Sequence, residues 1–233
     1  MPIKTLYLSI LAMVFLLAWT SCKNSQGARS TALECQRTSN YGSLQLCLPT
    51  LQGYQECYEE AVVKHLADSL MASDNQTLGY YLPEAVHRKG NQFRDEDYDN
   101  YISVFTVKKL KEFDFNQVFF DAFVKELELF SIGDNWEETK ARNPEILDNM
   151  HFDKPIQLNS YRFDQNSYVQ VYLFKDQNRP HPLIIYSNWL RLRDRLIVVT
   201  YNKYYLSEES LAKGQSQSGR IVKTFLTANP NSQ

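Results

Sequence analysis

Two consecutive hairpin patterns between Ile156 and Tyr201 restrict the fold more than any other feature of the chain. Residues 156–163 and 168–174 flank the polar turn "DQN", and the second run alternates apolar and polar positions as a half-buried strand does. Residues 183–190 and 196–201 flank a charged turn around Arg193 and Asp194. Connections this short make neighbouring strands antiparallel. The chain then enters a helix near Ser207 that runs to Asn229 and Pro230. Its Gly214 and Ser218 share a side with Leu211 and Val222, which predicts a backbone lying close on a sheet.

Upstream, residues 43–48, 77–82 and 99–107 read as strands. Residues 58–71 read as a helix with Ala61, Val62, His65, Leu66 and Leu70 at helical spacing. A second helix is expected over 115–130, capped by Asp114, with Gln117 closing the capping box and Phe113 stapled to Val118. Its expected apolar stripe is Phe119, Phe123, Leu127 and Phe130, and a short helix follows over 136–149. This order implies an α+β domain, a mostly antiparallel sheet with helices packed on its faces. In element order the last two-thirds of the chain resembles the PsbP-like α/β/α sandwich, and that resemblance implies a fold alone.

The first residues have the pattern of an export signal. Lys4 precedes an uncharged run over 6–19 in which only Ser9 is clearly polar, shorter than the roughly 20 apolar residues that span a membrane. Thr20, Ser21 and Cys22 resemble the end of a bacterial lipobox, with Trp19 standing where Leu, Val or Ile is usual. The resemblance implies that residues 1–21 are removed and that Cys22 carries a lipid. Residues 22–34 would then be the lipidated cysteine and a flexible tether, since "KNSQGARST" has no large apolar residue to bury. Residues 35–233 form a single globular domain. Lys23 and Asn24 replace the acidic signals for inner-membrane retention and surface export, so the same resemblance implies an outer membrane, facing the periplasm.

Cysteine usage agrees with an oxidising compartment. With Cys22 lipidated, Cys35, Cys47 and Cys57 remain, enough for one bridge. If "SNYG", residues 39–42, is a hairpin turn, Cys35 lies nearly opposite Cys47. The rival pair, Cys47 with Cys57, closes a shorter loop through Pro49 and Gly53.

Local motifs for chemistry are sparse. The net charge is −2, or −3 once Lys4 leaves with the signal, and gives no case for a nucleic-acid partner. No two of His65, His87, His151 and His181 have the i, i+4 spacing of helical metal ligands, and His65 reads as a core histidine. His151 with Asp153 is the one local metal pair, and is weighed against two ordinary loop residues. The run "RDEDYDN" lacks the glycine and terminal glutamate of a calcium loop, and there is no GxSxG, phosphate loop or HExxH. Cys57 is a nucleophile only if a distant histidine meets it. Glu59 and Glu60 read as the acidic first turn of a helix. Tyr80, Tyr81, Tyr201, Tyr204 and Tyr205 offer either a sugar- or peptide-binding surface or plain sheet packing.

No catalytic residue, cofactor or metal site is therefore assigned. The expected function is a non-catalytic envelope lipoprotein, membrane-bound through its lipid, that binds a protein, glycan or small molecule. The alternative is a periplasmic hydrolase whose site is assembled without a local motif, and convergence of the histidines, Cys57 and carboxylates in one pocket would favour it.

Overall fold

The hairpins of the C-terminal half form a meander that returns the chain to the middle of a seven-stranded sheet. The computed structural model describes residues 34–90, 100–129, 131–142, 144, 153–176 and 180–231. The expected signal, Cys22, the run "RDEDYDN" up to Asp99, Phe130 and His151 lie outside them. Strands β1 (Cys35–Tyr41) and β2 (Leu44–Pro49) pair as a separate hairpin. Strands β3 (Tyr54–Glu56), β4 (Asn75–Pro83), β5 (Tyr101–Val107), β6 (Ile156–Asp164), β7 (Ser167–Phe174), β8 (Leu183–Leu192) and β9 (Arg195–Tyr204) form the large sheet in the order β3-β4-β5-β9-β8-β7-β6. Every neighbouring pair is antiparallel. The β8–β9 turn has positive φ at both Arg193 and Asp194, as a two-residue hairpin turn of matching twist requires.

Helices α1 (Ala61–Ser69), α2 (Glu84–His87), α3 (Gln117–Leu129), α4 (Trp136–Arg142) and α5 (Glu208–Ala228), with a 3-10 turn at Lys108–Leu110, complete the described elements. On one face, α5 and the β1–β2 hairpin bury Leu46, Leu48, Ile221, Val222 and Phe225 against Ile102, Val104, Ile184, Ile197 and Val199. On the other, α1 packs by Tyr80 and Leu82, α3 by Tyr168 and Leu196, and Trp136 of α4 by Tyr172 and Phe174. The domain is thus α+β, an antiparallel sheet with helices on both faces. No helix among the described residues is long and apolar enough to cross a membrane.

Helix α5 seats as its small residues foretold, with Gly214, Ser218 and Val222 buried. Ser207 and Ser210 cap its start reciprocally. At its end Asn229 donates to the Cys47 carbonyl (2.9 Å) and accepts from the Cys47 amide (2.8 Å), tying the first hairpin to the last helix.

Four local expectations need correction. In α1 the buried residues are Val63 and Ala67, while Val62 and His65 are exposed, so His65 is not a core histidine. In α3 they are Phe120, Val124 and Leu127, while Phe119 points half into solvent. The buried side of α1 is turned by about one residue from the stripe expected, and that of α3 by less, since Leu127 is buried and Phe123 packs on the core as expected; neighbouring stripes share residues, and only the sheet beneath chooses between them. The cap of α3 is Asn116, whose Oδ1 accepts from the Phe119 amide at 3.1 Å; Asp114 lies too early, and Val118 is 76% exposed rather than stapled to Phe113. The first hairpin turns at Gly42 and Ser43, two residues beyond the centre of "SNYG", because Gly42 takes the positive φ.

Candidate binding surface

The bridge joins Cys35 to Cys47, with Cα atoms 5.3 Å apart, and leaves Cys57 free and buried. Cys47 pairs with Thr38 and Cys35 with Pro49, so a register shift between Cys35 and Arg37 brings the two sulfurs together across the strands. The rival Cys47–Cys57 bridge is not formed, because Cys57 lies beyond β3 with its thiol turned to the Tyr80 carbonyl, 3.4 Å away. Burial, then the Glu60 charge, pushes that thiol up to about 12. At neutral pH it is a protonated thiol, which is a poor nucleophile.

Among the described residues, Glu60 lies between two of the other candidates, its charge acting on Cys57 and its carboxylate meeting His87, while the rest are spread over the surface. His87 Nε2 lies 2.6 Å from Glu60 Oε1, Glu59 pairs with Arg37, and His181 sits edge-on to the Tyr204 ring. Asp153 is described, but its suggested partner His151 is not. No group of three or more His, Cys, Asp or Glu that could hold a metal ion occurs among the described residues. Glu56 is buried and fully engaged: Arg37 donates to it through Nε (2.6 Å) and Nη2 (3.0 Å), and the amides of Tyr58 and Tyr80 donate to its Oε1. This carboxylate fastens β1 to β3 and β4.

The five tyrosines do not share a surface. Tyr80 stacks on Tyr101 on the α1 face, whereas Tyr81 is buried with its hydroxyl on the Pro49 carbonyl. Tyr201 lies between Tyr186, stacked at 5.7 Å, and the edge of Tyr54. Tyr205 donates to Glu208.

One of the open surfaces lies along α5. Two grooves meet at Ser216 and Arg220, which line both. The first, about 420 Å³, is floored by Tyr54 and Tyr201 and carries Lys203, Lys213 and Arg220. The second, about 530 Å³, runs between α5 and β6 and is lined by Tyr161, Phe163, Gly219 and Lys223 among others. None of the described residues lining either groove is acidic. Burial, and then the nearby charge of Lys213, lowers the Lys203 ammonium below its ordinary value. Burial raises Tyr201, and Arg220 acts against that rise.

Two glycines shape these grooves. A side chain at Gly214 would meet Tyr186 Cζ at 2.9 Å and Lys203 Cδ at 3.0 Å, so the stem of Lys203 passes beneath the helix here. At Gly219 it would meet Phe163 Cε2 at 3.1 Å, so the ring of Phe163 lies against the helix backbone. Sequence reading missed this surface. Beyond Glu208 and Glu209 every charge on α5 is positive, namely Lys213, Arg220 and Lys223, but the near-neutral total conceals the stripe.

No family model matches the chain, and no curated protein matches it. Among solved structures it is similar to the Ran-binding protein Mog1p of Saccharomyces cerevisiae, at 12% identity and a TM-score of 0.34, over 78% of this chain and 86% of that one.

Proposed function

We propose that the chain is a non-catalytic lipoprotein of a bacterial envelope, lipidated on Cys22, in which residues 35–233 bind a protein, glycan or small-molecule ligand. The observation that carries the binding part is the pair of open grooves on α5, lined by cations and partly exposed rings. The hydrolase reading has less support, since Cys57 is buried and protonated and His87 is engaged by Glu60. The anchor rests on the uncharged run over 6–19 ending in Thr20, Ser21 and Cys22, and its place is an outer membrane facing the periplasm. Residues 22–34 are the tether.

Radiolabelled palmitate tests the anchor. The wild-type protein should incorporate label and sediment with membranes, and Cys22→Ser should lose both properties. Equal incorporation by the two proteins would overturn the assignment.

A further inference from the structure

Both grooves are cationic, and their cations are spread out. Lys213 and Arg220 are seven residues apart on one helix, about 10 Å along its axis at about 1.5 Å per residue, and Lys223 is one turn further. A single small anion cannot touch both ends of that stripe. Glu209 engages Lys213 from the preceding turn at 2.6 Å, and no acidic residue among those described lines the grooves themselves. Burial, and then the nearby charge of Lys213, disfavour the Lys203 ammonium, a cost that a bound anion would relieve.

The walls narrow the ligand further. The amides of the α5 interior are used within the helix, so the helical wall offers a ligand side chains alone, and the backbone edges nearby are those of β3 and β6, the outer strands of the sheet. An extended peptide, recognised chiefly through its main chain, is poorly served by such a wall. An acidic saccharide is well served. Its carboxylate suits the fork of Arg220, which otherwise donates to Gln217 Oε1 and Ser216 Oγ and would exchange these for it; its hydroxyls suit Gln52 and the Ser216 and Gln217 so released, and the apolar face of a pyranose suits an exposed ring. Phe163, 41% exposed beside Tyr161, offers that ring just across the ridge.

We infer that the ligand is an acidic oligosaccharide lying across the ridge of Ser216 and Arg220, its carboxylate held by Arg220, a neighbouring pyranose laid on Phe163, and the rest of its length lying in the positive field of Lys203 and Lys213. This rests on the binding reading above and gives that reading a ligand class.

Isothermal titration of the purified full chain in nonionic detergent tests it with five probes: tri-galacturonate, a sialylated trisaccharide, the methyl ester of each, and inorganic phosphate. At least one acid should bind, weakening as salt screens the cations. Its ester should bind about tenfold less well. Arg220→Gln should weaken the acid about tenfold and Phe163→Ala several-fold, whereas Lys109→Gln, at an exposed site paired with Asp74, should change nothing. Binding of neither acid, equal binding of acid and ester, competition by phosphate at the same concentration, or an unaffected Arg220→Gln would each overturn the inference. Palmitate labelling is independent of all four, so the ligand class and the anchor can fail separately.

Discussion

Cys57 shows how one residue's chemistry is decided by what surrounds it. The thiol is 3% exposed, bonded to a carbonyl and held protonated to about 12 by burial and by Glu60. In the Cys22→Ser protein, an alkylating reagent at pH 8 should therefore leave the native chain unlabelled and find one thiol per chain after unfolding without reductant. Labelling of the native chain as fast as the unfolded one would show Cys57 exposed. The same burial has a pH signature. Between the ordinary thiol value of 9.0 and about 12, the folded chain keeps a proton that the unfolded chain has released, so stability falls as pH rises through that window. Tyr101 and Tyr172, both pushed up to about 12 by burial, add to the fall in the same direction from 10.0 upward. Urea midpoints measured from pH 8 to pH 11 should decline above pH 9; a flat profile would contradict the burial.

Helix α5 carries the prediction at the scale of an element. Ser218 is fully buried and donates to Asn188 Oδ1 at 2.9 Å, while Asn188 donates to the carbonyls of Val199 and Tyr186. Ser218→Leu should cost about 2–4 kcal/mol, overpacking plus an acceptor left unpaired, and Gln217→Leu on the groove side should cost under about 0.5 kcal/mol. Gly214→Ala sets better helix propensity, up to about 1 kcal/mol, against a collision with Tyr186. Tyr186 cannot yield freely, being stacked on Tyr201 and bonded to the Leu211 carbonyl, so the net effect should be a loss of about 1 kcal/mol. Stabilisation by both Gly214→Ala and Ser218→Leu in urea titrations would refute the packing. This face was legible in the sequence because small residues stood in a row with apolar ones. In α1 and α3 it was not: adjacent stripes such as Phe119–Phe123 and Phe120–Val124 are about equally apolar, and the deciding contacts come from Tyr80, Tyr168 and Leu196, distant in sequence in most cases.

Across the whole molecule the first hairpin is held to the rest at several points. Leu46 and Leu48 enter the main core, Asn229 clasps Cys47, and Arg37 reaches Glu56. The Cys35–Cys47 bridge closes a separation of 12 residues, for which loop entropy suggests about 3 kcal/mol. Replacing both cysteines by Ser should lower the stability by about 2–3 kcal/mol in urea, with a somewhat steeper transition because the unfolded chain is released from its cross-link. An unchanged midpoint would show that the bridge constrains nothing. The binding surface belongs to this scale too, since its cations come from α5 and β9 and its rings from β3, β6 and β9.

Patterns confined to neighbouring residues were decided by the sequence itself. These were the antiparallel meander, from short turns between alternating strands, and the closing helix with its sheet-facing side, from the spacing of Leu211, Gly214, Ser218 and Val222. Together they sufficed for the α+β class. Only the tertiary structure decided which of two adjacent stripes is buried, which cysteine Cys47 meets, and that Lys203 joins Lys213 and Arg220 in one groove. The reason is range. A turn or a helix is set by interactions a few residues apart, whereas a rotation, a bridge or a groove is set by contacts between segments that meet only when the sheet has brought them together.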